Sequence, residues 1–435
     1  MRRVLTSKTF PISNGSVHMQ ENIISTFRAS DSRSANLLLQ SSFISPSSKG
    51  IYHFMPPLVK SLEKLTSLID EKMKNICAQK VQMSMLSGKD IWSLSGRWDA
   101  FGKELITTNL GEAKHCLSPT HEEAVCKVLS QTFNKFLSYR HLPLRLYQTN
   151  TKFRNEPDPQ RGLLRCREFL MNDLYTFDTT KKAAVETYNA VCNIYEEFFK
   201  ELNIPVTKAQ AGSGLIGGDF SHEYHILAGV GEDNIFICPD TGQAWNSECT
   251  NIEKKLDTLK QVDGIEVGHT FYLGKKYSKM FKTSFLTPDS KPVPCEMGCY
   301  GLGVTRILAA CLEVLSTESG MRWPHKIAPY KVCLVLPKTG SKEFENGTAA
   351  VNNVFDKLQN YPLLKNDVII DDTPKRSIGW KTKHANLIGY PLVIVFGKGL
   401  NSEEQYAEVI IQNPDQQLTK HVPLQNVVEF IHDYF

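Results

Sequence analysis

The chain has 435 residues, room for two or three domains with sizeable cores. Hydrophobic residues make up 41% and charged residues 22%, an ordinary globular balance, and no apolar run reaches the length of a bilayer-spanning helix. The net charge of +4, from 50 basic and 46 acidic residues, permits a nucleic-acid partner without predicting one.

The first fifty residues are rich in serine and basic. Arg2, Arg3 and Lys8 occur in the first twenty without an acid, the pattern of a weak mitochondrial presequence or of an unstructured start, expected over residues 1–25. Pro56 and Pro57 stand where a helix should begin. Leu58, Leu62, Leu65, Ile69, Met73 and Ile76 then recur at spacings of three and four, one apolar stripe on a helix. Val81, Met83 and Met85 alternate with polar residues, as in a half-buried strand. Residues 121–142 and 181–202 read as helices, the second with the stripe Tyr188, Val191, Cys192, Tyr195 and Phe199. Short strand-like stretches over 203–297 suggest antiparallel sheet. After about residue 328 strands and helices alternate: a strand at 331–336, a helix at 344–358, a strand at 367–371, a helix at 378–387, a strand at 392–396 and a helix at 424–435. That order predicts a small α/β domain. The eleven cysteines include no C-x-x-C pair, so they read as reduced, mostly buried thiols without a zinc framework.

Three stretches carry chemistry. Over Tyr147–Glu156 and Leu163–Phe177 two strands flank the polar loop 157–162. Alternation puts Lys152, Arg154 and Glu156 on one face, and Arg165, Arg167, Phe169, Met171 and Asp173 on one face of the partner. If the faces coincide, guanidinium groups for phosphate surround a ring for base stacking. A solvated charged face over a core phenylalanine fits the same parity. The second stretch, Gly298–Arg306, runs from a strand into a helix. Its G-x-x-G-x-G order lets a ligand approach the backbone near a helix N-terminus that favours anions, or simply makes a tight turn. The third is S-P-T-H-E-E at 118–123. Here Thr120 and Glu123 could form a capping box, or a carboxylate could wait for a cationic amine.

Together these blocks resemble the class II aminoacyl-tRNA synthetases. F-R-N-E at 153–156 with R-E-F at 167–169 is similar to motif 2, G-L-G-V-T-R at 301–306 to motif 3, and residues 58–86 to motif 1, the helix-strand unit through which such enzymes dimerise. P-T-H-E-E at 119–123, G-G-D-F-S-H-E-Y at 217–224, E-V-G-H at 266–269, K-Y-S-K-M-F at 276–281 and M-G-C-Y-G-L-G at 297–303 resemble the bacterial and organellar prolyl branch. The resemblance spans roughly residues 35–435. It implies an α+β catalytic domain over 26–328, an antiparallel sheet flanked by helices, followed by an α/β anticodon-binding domain over 329–435.

The resemblance also implies ATP-dependent activation of proline to prolyl-adenylate and transfer to tRNA(Pro) in mitochondrial translation, with ATP and Mg2+ as cofactors. The metal would be held mainly through the ATP phosphates. A homodimer without membrane association, placed in the mitochondrial matrix, is implied as well. Arg154 would bind the α-phosphate and the proline carboxylate, Glu156 the adenine amino group, and Phe169 would stack on the base. Arg306 would take the γ-phosphate, with Thr305 beside it. Thr120 and Glu122 would hold the proline amine. Glu266 and His269 would line the nucleotide and amino-acid pockets, and Gly301 and Gly303 would leave room for substrate. Ser84 stands where motif 1 usually has proline, and His384 where the anticodon domain commonly has an acid, near I-D-D-T at 370–373. The large editing insertion of bacterial relatives is reduced to the stretch 225–265. A non-catalytic synthetase-like tRNA-binding or dimerisation module is the alternative, though such modules usually lose a motif arginine.

Overall fold

The computed structural model describes residues 31–435 apart from 134–135, 213, 215, 219, 250–257 and 415. The expected presequence lies outside the described residues. The chain divides into two units. One comprises Pro46–Tyr52 and Leu65–Ala310, the other the described residues up to Ser45, His53–Lys64 and Cys311–Phe435.

Helix α1 (Pro56–Asn75) opens on its two prolines, and its stripe of Leu58, Leu62, Leu65, Ile69 and Met73 is buried. Residues 81–85 alternate between half-buried and exposed, as the sequence pattern predicts, yet they form no strand. The ladder ends at β1 (Gln79–Lys80), because the Met83 amide donates to the Gln148 side chain (2.9 Å) rather than to a neighbouring backbone. Helix α2 (Glu122–Thr132) is shorter than the expected 121–142. The apolar spacing runs on to Phe133 and Phe136, but the helix stops at Thr132 and Phe136–Ser138 pairs as a strand with Ser284–Leu286.

The hairpin of β2 (Leu144–Phe153) and β3 (Glu168–Asp178) leads into α3 (Lys181–Glu201), whose first turn is capped by Thr180 Oγ1 accepting from the Ala183 amide. Then come β4 (Thr207–Ala211), β5 (Phe220–Leu227), β6 (Asp233–Ile237), β7 (Ala244–Asn246), the long β8 (Lys260–Gly274), β9 (Glu296–Gly303) and helix α4 (Val304–Leu315). The strands make one sheet in the order β5-β4-β7-β6-β8-β9-β3-β2-β1, and β5 also pairs with β8. Pairing is antiparallel except for β4–β7 and β1–β2.

Register decides the function of each sheet face. Lys152 stands opposite Phe169, Asp173 opposite Gly301, Tyr175 opposite Cys299, and His269 opposite both Gly301 and Glu223. Directly opposed residues share a face, so all of these point to one side. The other side carries Thr176, Thr270 and Tyr300 under Tyr188 of α3. Glu266 and His269 are three apart and would face opposite ways on a regular strand. A bulge opposite Tyr224/His225 absorbs Val267 and brings both to the same cavity.

In the second unit, β10 (Val332–Val335), α5 (Phe344–Leu358), β11 (Val368–Asp371), α6 (Ile378–Ile388) and β12 (Leu392–Val395) follow the predicted order. These three strands are parallel, and β10 and β12 are wholly buried. Two strands the sequence reading did not anticipate, β13 (Tyr406–Gln412) and β14 (Gln417–Pro423), extend the sheet antiparallel to the order β11-β10-β12-β13-β14. The final helix α7 is Val427–Tyr434, after a single tight turn. His384 on α6 lies flat against Trp380, with ring centroids 5.1 Å apart.

All eleven cysteines are free, and eight of them are buried.

Candidate active site

The chemical side of the sheet walls a cavity of about 130 Å³. Thr120, Arg154, Phe169, Glu266, His269, Gly301, Gly303, Thr305 and Arg306 all line it, together with Asp173 and Cys299. A second cavity of about 220 Å³ shares Arg154, Glu266 and Arg306 and adds Glu156, Arg161, Arg165 and Glu232. Segments separated by up to 186 positions, Thr120 to Arg306, therefore meet in one place.

Arg154 sits one residue past the end of β2, its amide donating to the Arg167 carbonyl (2.9 Å). Its guanidinium lies over the Phe169 ring at 5.4 Å. Its Nε is buried without a hydrogen-bond partner among the described residues. Burial and the neighbouring Arg306 pull its pKa down. A half-buried, incompletely paired guanidinium beside a second one is costly unless an anion comes to it.

Arg306 lies in the first turn of α4. Its Nε donates to the Leu164 carbonyl (2.9 Å), and its Nη1 donates to the Glu266 backbone (3.0 Å) and approaches the Glu266 carboxylate (3.4 Å). Burial works against ionised Glu266, but the His269 hydrogen bond (3.0 Å) and Arg306 outweigh it and hold the carboxyl well below its usual range. The Thr305 hydroxyl is buried without a partner among the described residues. Gly301 and Gly303 border the cavity, and an added Cβ at either would already be in van der Waals contact with a neighbour, at 3.7 and 3.4 Å.

Only one of the expected arginines reaches the Phe169 ring. β2 stops at Phe153 and β3 begins at Glu168, so strand parity does not extend to Glu156, Arg165 or Arg167. Arg165 Nε donates to Glu156 (3.0 Å), and Arg167 Nε donates to the Glu156 carbonyl (3.0 Å). Glu156 thus faces the second cavity rather than the one holding Phe169.

The capping box at Thr120 is not formed. The residue before α2 is His121, which offers no side-chain cap, and Thr120 Oγ1 instead donates to the Glu122 carboxylate (2.7 and 2.9 Å). Glu122 is fully buried and does not itself line the cavity. Thr120 and Cys299, which do, both hydrogen-bond to it, Cys299 Sγ at 3.1 Å. Arg97, which sequence reasoning missed, donates to Glu122 (2.8 Å) and to Glu123 (3.0 and 3.1 Å). Burial favours the neutral form of Glu122, yet Arg97, Thr120 and Cys299 together hold its pKa down at about 2. The only sequence signal for Arg97 was its place in the glycine-flanked, aromatic-rich S-G-R-W segment.

A second buried assembly stands behind Asp173. Lys152 Nζ lies 2.8 Å from Asp173 and 2.8 Å from His121 Nδ1, while Gln148 Nε2 donates to Asp173 (3.0 Å). His121 Nε2 meets the Ser84 carbonyl at 3.0 Å, so the residue in the motif 1 proline position is tied to the pocket wall through its backbone. Burial and Lys152 lower the His121 pKa to about 4, leaving it neutral near pH 7.

Two family descriptions match the chain: the class II tRNA synthetase core domain (G, H, P, S and T) over residues 106–315 and the anticodon-binding domain over 332–434. The chain is 43% identical over 422 residues to the probable mitochondrial proline–tRNA ligase of Homo sapiens, covering 95% of this chain and 88% of that protein. The chain belongs to the proline–tRNA ligase family. Another family member, the probable mitochondrial enzyme of Schizosaccharomyces pombe, is 39% identical, with 87% of this chain and 89% of that protein covered. The proline–tRNA ligase of Ehrlichia ruminantium (strain Gardel) is 36% identical, covering 83% and 86%. The fold matches the prolyl-tRNA synthetase of Giardia lamblia in complex with prolyl-adenylate, with a TM-score of 0.76 at 20% identity over 92% of this chain and 78% of that one. It also matches the enzyme of Cryptosporidium parvum complexed with L-proline and AMP, with a TM-score of 0.73 at 20% identity over 92% and 74%. The expected class II catalytic fold followed by an anticodon-binding fold is thus present.

Proposed function

We propose that this chain activates proline with ATP to prolyl-adenylate and transfers the prolyl group to tRNA(Pro). The observation that carries this reading is the meeting of Arg154, Arg306, Phe169 and Thr120 on one cavity, with the Glu122 carboxylate directly behind it. In the first step the proline carboxylate attacks the α-phosphate in line and pyrophosphate leaves. In the second, the terminal ribose hydroxyl of the tRNA attacks the mixed anhydride and AMP leaves. No side chain need become covalently attached, so the protein's contribution is positioning and charge neutralisation.

The half-buried, under-paired Arg154 holds the carboxylate and the α-phosphate together, and the Phe169 ring offers the base a stacking face. Arg306 at the helix N-terminus meets the terminal phosphates. Thr120, backed by ionised Glu122, receives the secondary ammonium, and Gly301 and Gly303 give the substrate backbone clearance. Glu156 serves the nucleotide from the second cavity.

Magnesium would be held mainly through the ATP phosphates, with the Glu223 and Glu266 carboxylates as the oxygen donors at hand, while the neighbouring His269 nitrogen suits it poorly. The ligand atoms of Glu223, Glu266 and His269 lie within 4.8 Å of one another beside Arg306, and hard carboxylate oxygens suit that ion. When bound along with the nucleotide it neutralises phosphate charge.

The mitochondrial names of the relatives support action in that organelle. The resemblance of residues 58–86 to motif 1 supports pairing with a second copy. Residues 26–328 would form the catalytic domain and 329–435 the tRNA-reading domain. Amino-acid-dependent ATP–pyrophosphate exchange with all twenty amino acids tests the activity. Proline should drive it far above the rest, and exchange driven by another amino acid, or by none, overturns the reading.

A further inference from the structure

Behind Thr120 lies a cluster whose charges do not balance. Arg97 is buried, and a single nitrogen, Nη1, serves both Glu122 (2.8 Å) and Glu123 (3.0 Å). The side chains of all three are at most 3% exposed. The guanidinium is boxed by the rings of Trp92 (5.2 Å), Phe101 (5.0 Å) and Tyr277 (5.7 Å). One positive charge faces two carboxylates where water is excluded. Such a site either binds a further cation or keeps a proton on one acid.

The hydrogen bonds identify which acid. Glu122 takes three donors, from Arg97, Thr120 and Cys299. Glu123 has Arg97 and the Ser95 hydroxyl, at 2.7 Å. Ser95 Oγ also lies 3.0 Å from the Trp92 carbonyl, and its one hydrogen cannot serve both acceptors. With that hydrogen divided between the two, Glu123 has fewer donors than Glu122 and is the acid that keeps a proton. Ser95 is only half-buried and gives the proton a way out.

We propose that Arg97 is a positioning residue of the amino-acid pocket: it presets Glu122 as the anion behind Thr120, while Glu123 stores a proton that leaves when the substrate ammonium enters. The arriving ammonium supplies the missing positive charge. The Glu123 O–H bond then breaks, the electron pair stays on the carboxylate and the proton passes to buffer. Burial together with the Glu122 charge raises Glu123 above the ordinary carboxylate range, against the pull of Arg97. The other charged or titratable groups acting on the cluster are Lys276, Tyr277, Cys116 and Cys126, with Lys152 already paired to Asp173.

The inference rests on the reading that this pocket takes proline. It is tested with the full chain by calorimetric titration of proline at one pH in buffers of different ionisation enthalpy. The parent should release a measurable fraction of a proton per proline bound, and its proline KM should fall as pH rises from about 5 to 8, by at most tenfold per unit. Glu123→Gln keeps the shape and should release none, with a flattened KM profile. Arg97→Lys keeps the charge but, on a shorter side chain, draws back the one nitrogen that serves both carboxylates, and should raise the proline KM roughly tenfold or more while kcat changes little. Equal apparent heats in all buffers for the parent, or undiminished release in Glu123→Gln, overturn the inference while proline-dependent exchange still stands. Exchange that fails with proline overturns the underlying reading instead.

Discussion

Arg154→Met separates a functional arginine from a structural one, because the two roles predict opposite changes in stability. Arg154 is half-buried, with Nε buried and unpartnered, beside Arg306, and with no carboxylate among the described residues at ion-pair distance. In the proposed role, bound substrate would offer it two charge-assisted contacts, to the carboxylate and to the α-phosphate. Each is worth about 1.5–3 kcal/mol, together roughly 3–6 kcal/mol. At about 1.4 kcal/mol per decade, proline-dependent exchange should fall roughly 10²- to 10⁴-fold in kcat/KM. The fold should not suffer. Removing a desolvated charge without an ion-pair partner from beside a like charge should leave stability unchanged or raise it by about 1–3 kcal/mol. Urea denaturation and exchange measured on the same preparation check both halves. A variant that loses more than about 2 kcal/mol of stability would show Arg154 to be a structural cation. Near-normal exchange would remove it from the site.

Lys152→Met should behave in the contrary way. It strands Asp173 in a dry setting and should cost about 3–5 kcal/mol, much of it regained in the Lys152→Met/Asp173→Asn double variant; equal losses in single and double variants count against the pair. His121, held at about 4 against an ordinary 6.5, cannot take the proton that the unfolded chain takes between those values. Stability should therefore fall as pH drops from 6.5 to 4, by on the order of 3 kcal/mol from this residue, and His121→Gln should flatten that slope in denaturation series across the window. Gly218→Ala places a Cβ 2.2 Å from the Tyr272 carbonyl at a φ of +127° and should destabilise by about 3 kcal/mol or more, visible as a lowered Tm. Alanine lacks the proline ring yet keeps the ammonium that Thr120 and Glu122 are proposed to recognise, so discrimination should amount to only about 1–3 kcal/mol. Purified protein should accumulate some alanyl-tRNA(Pro), and mischarging as low as in a relative with an editing domain would refute this.

Residues whose role depends on local order were legible in the sequence. The α1 stripe, the α3 stripe and the strand-to-helix turn at 298–306 follow from side-chain periodicity and glycine placement. Parity also placed Lys152, Phe169, Met171 and Asp173 correctly, since these lie within regular strand. It failed where regularity ended. Glu156, Arg165 and Arg167 lie beyond the ladder, so their directions are set by ion pairs and loop turns that no period encodes. The S-P-T-H-E-E segment reads as a capping box by spacing, but Thr120 turns to Glu122 because Arg97, 25 positions earlier, has fixed that carboxylate beneath it. β13 and β14 went unseen because an antiparallel extension follows three parallel strands that already satisfied the α/β pattern.

The same reasoning explains why Arg97 was silent while Arg154 and Arg306 were not. The motif arginines stand beside glycines, a hairpin and a helix start, features that local physics ties to anion binding. Arg97 needs no such context, because its ion-pair partners among the described residues are Glu122 and Glu123, two acids that already stood out for another reason. A residue that acts by orienting another leaves its mark on the partner's surroundings. Here that mark is a carboxylate at 0% exposure with three donors turned toward it. An ionised acid so deeply buried requires a buried cation nearby, since desolvation alone would otherwise neutralise it. From a sequence, the proposal that Glu122 meets an ammonium therefore already demands a basic residue outside the motifs. Its position can be found only once the β-sheet face and the first turn of α2 have been brought together.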